Sequence, residues 1–191
     1  MNLSVPGKIV IISSPSGGGK TSICQALLTE EYRKQGWSFS ISYTTRSRRP
    51  NEEDGREYYF VTDTEFDRLE EEDFFAESCL VHGYQYGTPR RPLEEVVEKG
   101  GVILLDVDVK GARKLRKEYP HAVMIFIRPP SLEALRERLK KRGTESDEQL
   151  KVRFDNAVEE MKLHDQFDYV VINEQLEKAV QEVRMIILNH R

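Results

Sequence analysis

Apolar residues fall along this chain in short blocks, separated by stretches in which they recur every third or fourth position. The blocks at 8–13, 39–43, 102–105, 122–127 and 169–172 read as strands. Ile9-Val10-Ile11-Ile12 and Val102-Ile103-Leu104-Leu105 contain no polar residue, the pattern of a strand buried on both faces. Residues 20–34 read as one helix, with Ile23, Ala26, Leu27 and Tyr32 on a buried stripe. Further helices are predicted over about 109–118, 131–142, 147–164 and 174–188. Pro129-Pro130 stops the strand before the second of these, Ser131 caps it, and Gly143 breaks it. Between 44 and 101 the pattern changes to short aromatic strands at 58–61 and 74–81, an acidic helix between them, and turn residues at Gly55, Gly83 and Gly87. That region reads as a small inserted lobe. The remainder alternates strand and helix, which predicts an α/β fold: a parallel sheet with helices on both faces. In such sheets ligands bind beyond the carboxyl ends of the strands. Three polar segments lie at those ends: Ser14 to Gly19, Tyr43-Thr44-Thr45-Arg46, and Asp106-Val107-Asp108.

The first of these carries the clearest chemistry. The apolar run passes directly into Ser13-Ser14-Pro15-Ser16-Gly17-Gly18-Gly19-Lys20-Thr21. Glycines let the backbone fold so that several N–H groups point into one concavity. The helix that follows adds unpaired amides and a partial positive charge at the same point. Lys20 contributes a full charge, and the Thr21 hydroxyl is a ligand for Mg²⁺. Strand, glycine loop, Lys-Thr and helix together form a nucleoside triphosphate site. The usual pattern is G-x-x-x-x-G-K-[ST]; here Ser14 stands at the first glycine position.

Composition narrows the partners. The chain has 191 residues and a net charge of −4, which favours one soluble domain and argues against a dedicated nucleic-acid binder. Positive charge is local, at Arg46, Arg48 and Arg49, at Lys110 to Lys117, and at Arg136 to Arg142. Cys24 and Cys79 form no zinc spacing and read as free thiols in a reducing cytoplasm. No apolar run approaches the ~20 residues of a membrane span, and the N-terminal stretch is too short for a signal-peptide core.

The second segment, Ser42 to Pro50, holds three arginines with little helical or strand pattern, followed by Gly55 and Tyr58. Arginines fork onto phosphate oxygens, and tyrosine hydroxyls donate to them. An exposed basic loop is the plainer reading of such a run alone; its place at a strand end beside a phosphate loop favours an anion site.

These motifs and their order resemble the guanylate kinase family over nearly the whole chain. The P-S-G-x-G-K loop is Pro15 to Lys20, and T-T-R-x-x-R is Thr44 to Arg49. G-x-x-Y-x-F-V is Gly55 to Val61, F-x-E is Phe75-Ala76-Glu77, and Y-G-T is Tyr86-Gly87-Thr88. D-x-D-x-x-G is Asp106 to Gly111, P-P-S is Pro129 to Ser131, and R-x-x-x-R-G-T is Arg138 to Thr144. The resemblance implies a P-loop NTPase-like parallel sheet with a mixed α/β GMP-binding lobe and a helical lid. Its divisions would be a core (1–41, 102–128, 162–191), a GMP-binding lobe (42–101) and a lid (129–161). It implies transfer of the γ-phosphoryl group of MgATP to GMP, and to dGMP. The ATP-binding residues would be Ser13, Ser14, Pro15, Ser16, Gly17, Gly18, Gly19, Lys20, Thr21 and Ser22. Arg46, Arg49, Tyr58 and Tyr86 would grip the GMP phosphate; Ser42, Glu77, Thr88 and Asp108 would read the base. Asp108 is equally placed to cap the next helix, and both roles can hold. Lys20, Arg138, Arg142 and Arg153 would act at the transferring group, Thr21 on Mg²⁺, and Asp106 as its outer-sphere partner. The expected protein is a cytoplasmic monomer or homodimer with no nucleic-acid or membrane partner.

The base chemistry is independently consistent with this reading. Guanine donates from N1 and N2 and accepts at O6, so a carboxylate such as Glu77 and a hydroxyl match it. Adenine would leave the carboxylate unpaired, and sites of that kind reject the wrong ligand by roughly 10⁴. Two rivals stand beside it: another small-molecule kinase on the same core, and a non-catalytic guanylate-kinase-like binding module. Glu77 with Asp108 weighs against the first, and Lys20, Thr21 and the lid arginines against the second. Besides Ser14, the chain departs from the family pattern at Ser78-Cys79-Leu80 and Gln85.

Overall fold

The computed structural model describes residues 7–81, 83–141 and 147–190. A five-stranded, all-parallel sheet forms the centre. Its strands are β1 (Lys8–Ser13), β2 (Trp37–Phe39), β7 (Val102–Asp106), β8 (Val123–Arg128) and β9 (Tyr169–Ile172), in the order β2-β7-β1-β8-β9. Alternate side chains of the central strands feed two cores, as two-sided burial requires. Val10, Ile12, Leu104, Val123 and Ile125 pack with Ile23 and Leu27 of α1 (Lys20–Leu27) and Val183 and Ile187 of α8 (Leu176–Asn189). Ile9, Ile11, Ile103, Leu105 and Phe126 pack with Leu93 of α4 (Arg90–Glu98) and Ala112 and Leu115 of α5 (Val109–Glu118).

A second, four-stranded sheet stands apart from the first. It is built from β3 (Tyr43–Thr44), β4 (Tyr59–Phe60), β5 (Phe75–Val81) and β6 (Tyr84–Pro89), in the order β4-β3-β6-β5. Phe66 and Leu69 of α3 (Asp63–Glu71) and Phe75 close its small core. Helices α6 (Leu132–Lys140) and α7 (Asp147–Met161) pack together through Leu135, Leu139 and Ala157.

Three sequence expectations need correction. The helix expected over 20–34 is two helices, α1 and α2 (Glu30–Lys34): Leu28 leaves helical geometry, and the Thr29 hydroxyl caps α2 by accepting the Tyr32 N–H. A threonine followed by two glutamates is a helix start, and that local cap wins over the continuing apolar stripe. The strand expected over 39–43 belongs to two sheets. Phe39 pairs with β7, whereas Tyr43 pairs with β4 and β6, and the chain crosses over 40–42. Alternation marks a segment as extended without naming its neighbour. Strand β6 and helix α4 were not anticipated, because Gly83 and Gly87 read as turns; Gly87 instead sits within β6, against the Phe75 ring. At the C-terminal end, α7 stops at Met161, and a short 3₁₀ turn (His164–Gln166) follows.

Candidate functional site

The glycine loop follows β1 at the carboxyl edge of the central sheet. Gly17 and Gly19 hold φ of +85° and +93°, a region that favours glycine over any residue with a Cβ. Gly19 is the N-cap of α1 and supplies no capping side chain, so nothing on the cap residue competes for the first amides of the helix. Asp106, at the end of β7, lies in register with Ile12 of β1. Its carboxylate accepts the Thr21 hydroxyl at 2.6 Å and sits 3.2 Å from the Lys20 ammonium. Burial works against the charge on Lys20, but Asp106 outweighs it, and the lysine pKa stands above its ordinary value. Lys20 is therefore a permanent cation at the mouth of the loop. Ser14 is buried, and its hydroxyl donates to the Pro15 carbonyl at 2.9 Å.

The four-stranded sheet faces this loop across one cleft, about 990 Å³ including its open mouth. Ser42, Tyr58, Glu77 and Tyr86 line it from one side, and Lys20, Thr21, Asp106 and Asp108 from the other. Glu77 is 7% exposed; one carboxylate oxygen accepts the Thr88 hydroxyl at 2.6 Å, and the other is buried with no hydrogen-bond partner. Burial pushes the Glu77 carboxyl up from its usual range, partly countered by Thr88 and Cys79. Burial first, then the Asp106 charge, pushes the Tyr58 phenol up to about 12, so it remains a donor at neutral pH. Asp108 caps α5, accepting the Gly111 N–H at 2.8 Å, and it also reaches the cleft. A Cβ on Gly111 would lie 3.0 Å from the free Glu77 oxygen, so the glycine is what allows α5 so close to that carboxylate.

Arg46 stands behind the cleft wall. Its guanidinium forks onto Glu52 at 2.8 and 3.0 Å, donates to the Tyr86 hydroxyl at 3.3 Å, and lies 5.5 Å from the centre of the Tyr58 ring. Glu52 also accepts the Arg49 N–H at 2.8 Å, while the Arg49 guanidinium extends into solvent 3.8 Å from Glu52. Thr88 is wholly buried behind Glu77. Glu52 thus holds the Arg46 guanidinium beside the two tyrosines and ties down the Arg49 backbone, a role the sequence reading missed.

The remaining expected residues gather around the loop. Arg153 of α7 donates to the Ser16 hydroxyl at 2.8 Å, and Glu160 of the same helix accepts the Ser16 N–H at 3.2 Å. Arg138 of α6 donates to the Asn173 carbonyl at 2.7 Å, and its other terminal nitrogen is buried without a partner. A recess adjoining the cleft is lined by Gly17, Gly19, Ser22, Arg138 and Asn173. Arg142 lies outside the described residues. Asn173 and Glu160 were also missed, although the strand-end rule that selected Asp106 applies equally to Asn173, one residue beyond β9.

Comparison with known proteins identifies the family. A guanylate kinase family model matches residues 6–190. The guanylate kinase of Caldanaerobacter subterraneus subsp. tengcongensis is 43% identical over 188 residues, covering 98% of this chain and 90% of that protein. That of Symbiobacterium thermophilum is 46% identical over 182 residues, covering 95% and 85%. The crystal structure of guanylate kinase from Anaplasma phagocytophilum superimposes with a TM-score of 0.80 at 34% identity, covering 96% of this chain and 86% of that one. With a family model that spans residues 6–190 and relatives matching almost end to end, this chain belongs to the guanylate kinase family.

Proposed function

We infer that the chain is an ATP:GMP phosphotransferase, with ATP held at the glycine loop and GMP against the four-stranded sheet. The observation that carries this is the sharing of one cleft by Lys20, Thr21 and Asp106 with Glu77, a buried residue one of whose carboxylate oxygens has no hydrogen-bond partner. A buried carboxylate with a free oxygen is costly unless a ligand donates to it, and guanine N1 and N2 are such donors.

In this reading residues 42–101 form the GMP-binding lobe, 129–161 the lid, and the rest the core. An oxygen of the GMP phosphate attacks the γ-phosphorus in line, the bond to the bridging β–γ oxygen breaks, and ADP leaves. GMP needs no general base, because a phosphate monoester with a second pKa of about 6 is largely dianionic at neutral pH. The protein's contribution is position and charge. Lys20 and the loop amides hold the β and γ phosphates. Arg46, Arg49, Tyr58 and Tyr86 hold the acceptor phosphate; Ser42, Glu77, Thr88 and Asp108 read the base. Arg138, Arg142 and Arg153 neutralise charge from the lid side, and lid closure excludes water that would otherwise accept the phosphoryl group.

The Thr21 hydroxyl and the Asp106 carboxylate are hard oxygen donors facing the same cleft, a donor set that fits Mg²⁺. Thr21 would ligate the ion and Asp106 would hold its outer shell. Mg²⁺ supplies positive charge to the phosphate oxygens when bound with ATP. dGMP, which carries the same base and phosphate as GMP, is a second acceptor in this reading. Among the described residues no helix is long and apolar enough to cross a membrane. Free Cys24 and Cys79 fit a reducing cytoplasm.

A coupled ADP-release assay with MgATP and GMP, dGMP, AMP, UMP or CMP tests the proposal. ADP should appear with GMP and dGMP only. Equal turnover of AMP would remove the base-reading role of Glu77, and binding of both nucleotides without turnover would make the chain a binding module.

A further inference from the structure

We propose that Asn173 is a positioning residue that aims the phosphate loop and ties it to the lid arginine Arg138. The proposal rests on the ATP-site reading above. Asn173 follows β9 and is 6% exposed. Its own N–H donates to the Arg128 carbonyl at 2.8 Å, which anchors its backbone to the end of β8. From that anchor its side-chain amide donates to the Gly18 carbonyl at 3.0 Å.

That bond has a directional consequence. The described peptide bonds include no cis bond, and in a planar trans peptide the carbonyl of one residue and the N–H of the next point in opposite directions. Asn173 approaches the loop from the recess that it shares with Arg138. Gly19 lines both that recess and the main cleft, which also holds Lys20, Thr21 and Asp106. Turning the Gly18 carbonyl towards Asn173 therefore turns the Gly19 N–H away from Asn173 and leaves it free for a phosphate oxygen in the cleft that Gly19 lines. The contact is tight: a Cβ on Gly19 would lie 2.4 Å from the Asn173 amide nitrogen, so only glycine admits the strut.

The same residue reaches the lid. The Asn173 carbonyl accepts Arg138 at 2.7 Å, and the second terminal nitrogen of Arg138 stays buried without a partner. One residue thus sets the direction of a loop amide with its side chain and holds a lid cation with its backbone. Only the first role depends on the side-chain amide, and this makes it separable by substitution.

Asn173→Asp keeps the shape and removes the donor, placing a carboxylate against the Gly18 carbonyl. Asn173→Ala removes the strut without adding charge. Both should weaken ADP binding, measured by calorimetry, and raise the KM for ATP about tenfold or more, as expected when a buried carbonyl loses its donor. The KM for GMP should stay within about twofold, since no acceptor residue touches Asn173. Equal losses for ATP and GMP, or unchanged ADP affinity, would overturn the proposal. If neither variant folds, the wild-type protein decides: its Gly19 amide nitrogen and proton resonances must move downfield on ADP binding, and an unmoved Gly19 amide overturns the assignment. Absence of GMP-dependent turnover in the wild type would instead strike the kinase reading and leave the ADP-binding test of Asn173 intact.

Discussion

Ser14 and Gly18 occupy the same space in the phosphate loop: a Cβ on Gly18 would lie 2.7 Å from the Ser14 Cβ and 2.8 Å from its hydroxyl. Ser14 stands where the usual motif has glycine, and the room for its side chain comes from the middle glycine of the Gly17-Gly18-Gly19 run. Gly18 also donates its N–H to the Pro15 carbonyl at 2.9 Å, the same oxygen that accepts the Ser14 hydroxyl. The departure from the motif and the extra glycine are one packing solution.

The pair should therefore couple. Gly18→Ala alone should raise the KM for ATP and lower thermal stability by about 1–3 kcal/mol, the usual cost of overpacking a tight site. Ser14→Gly should be mild, and the double variant should recover most of the loss. A double-mutant cycle on unfolding free energy and ADP affinity measures this, and additive effects would show that the two residues do not share the constraint.

Lys20→Ala and Arg46→Ala should each reduce GMP-dependent ADP formation by about 10²-fold or more, the scale of losing a preorganised charge at a transferring group. Their effects should divide by substrate. Lys20→Ala should weaken ADP binding, whereas Arg46→Ala should weaken GMP binding, because Arg46 touches Tyr86 and the Tyr58 ring and not the loop. Far-UV circular dichroism should be unchanged. Full activity in either variant would displace that residue from the site.

Glu77→Gln should trade function for stability. Burial raises the folded-state pKa of Glu77 above its unfolded value, so the folded protein holds a proton there more tightly than the unfolded chain does. The contribution of Glu77 to stability is greatest below the ordinary carboxylate pKa and falls as pH rises through the folded value. Above the folded value the full penalty of the buried charge is present. Glutamine removes it, so the variant should melt higher than wild type at pH 7, by about 2–4 °C for each kcal/mol relieved. The advantage should vanish below about pH 4, where both states are neutral. The GMP-over-AMP ratio should collapse at the same time. An unchanged ratio would contradict the base-reading role.

Cys79 lines the cleft beside Glu77, and burial, then the Glu77 charge, pushes its thiol up to about 12. It should be protonated and slow to alkylate at pH 8, where an ordinary thiol of pKa about 8.5 reacts readily. Iodoacetamide labelling followed by mass spectrometry should find little modification until the chain is unfolded. Added GMP should slow the residual Cys79 reaction further, and rapid labelling of the native protein would contradict the raised thiol pKa.

The central sheet, the phosphate loop and the helix over Val109–Glu118 were legible in the chain because each is a local pattern. A fully apolar strand, a glycine run ending in Lys-Thr, and Asp108 before a 3.6-residue stripe carry their conformation within a dozen residues. The recurring family motifs carried the rest of the assignment, since their order places Arg46, Tyr58 and Glu77 after the loop even where local pattern is weak. Tertiary structure alone decided which sheet each half of 39–43 would join, because period-two alternation is the same for any neighbour. It alone paired Ser14 with Gly18, set Glu52 under Arg46, and brought Asn173, 155 residues away in the chain, onto the Gly18 carbonyl. Contacts of that kind depend on distances between backbone segments that meet only after the sheet has formed, and no sequence period encodes them.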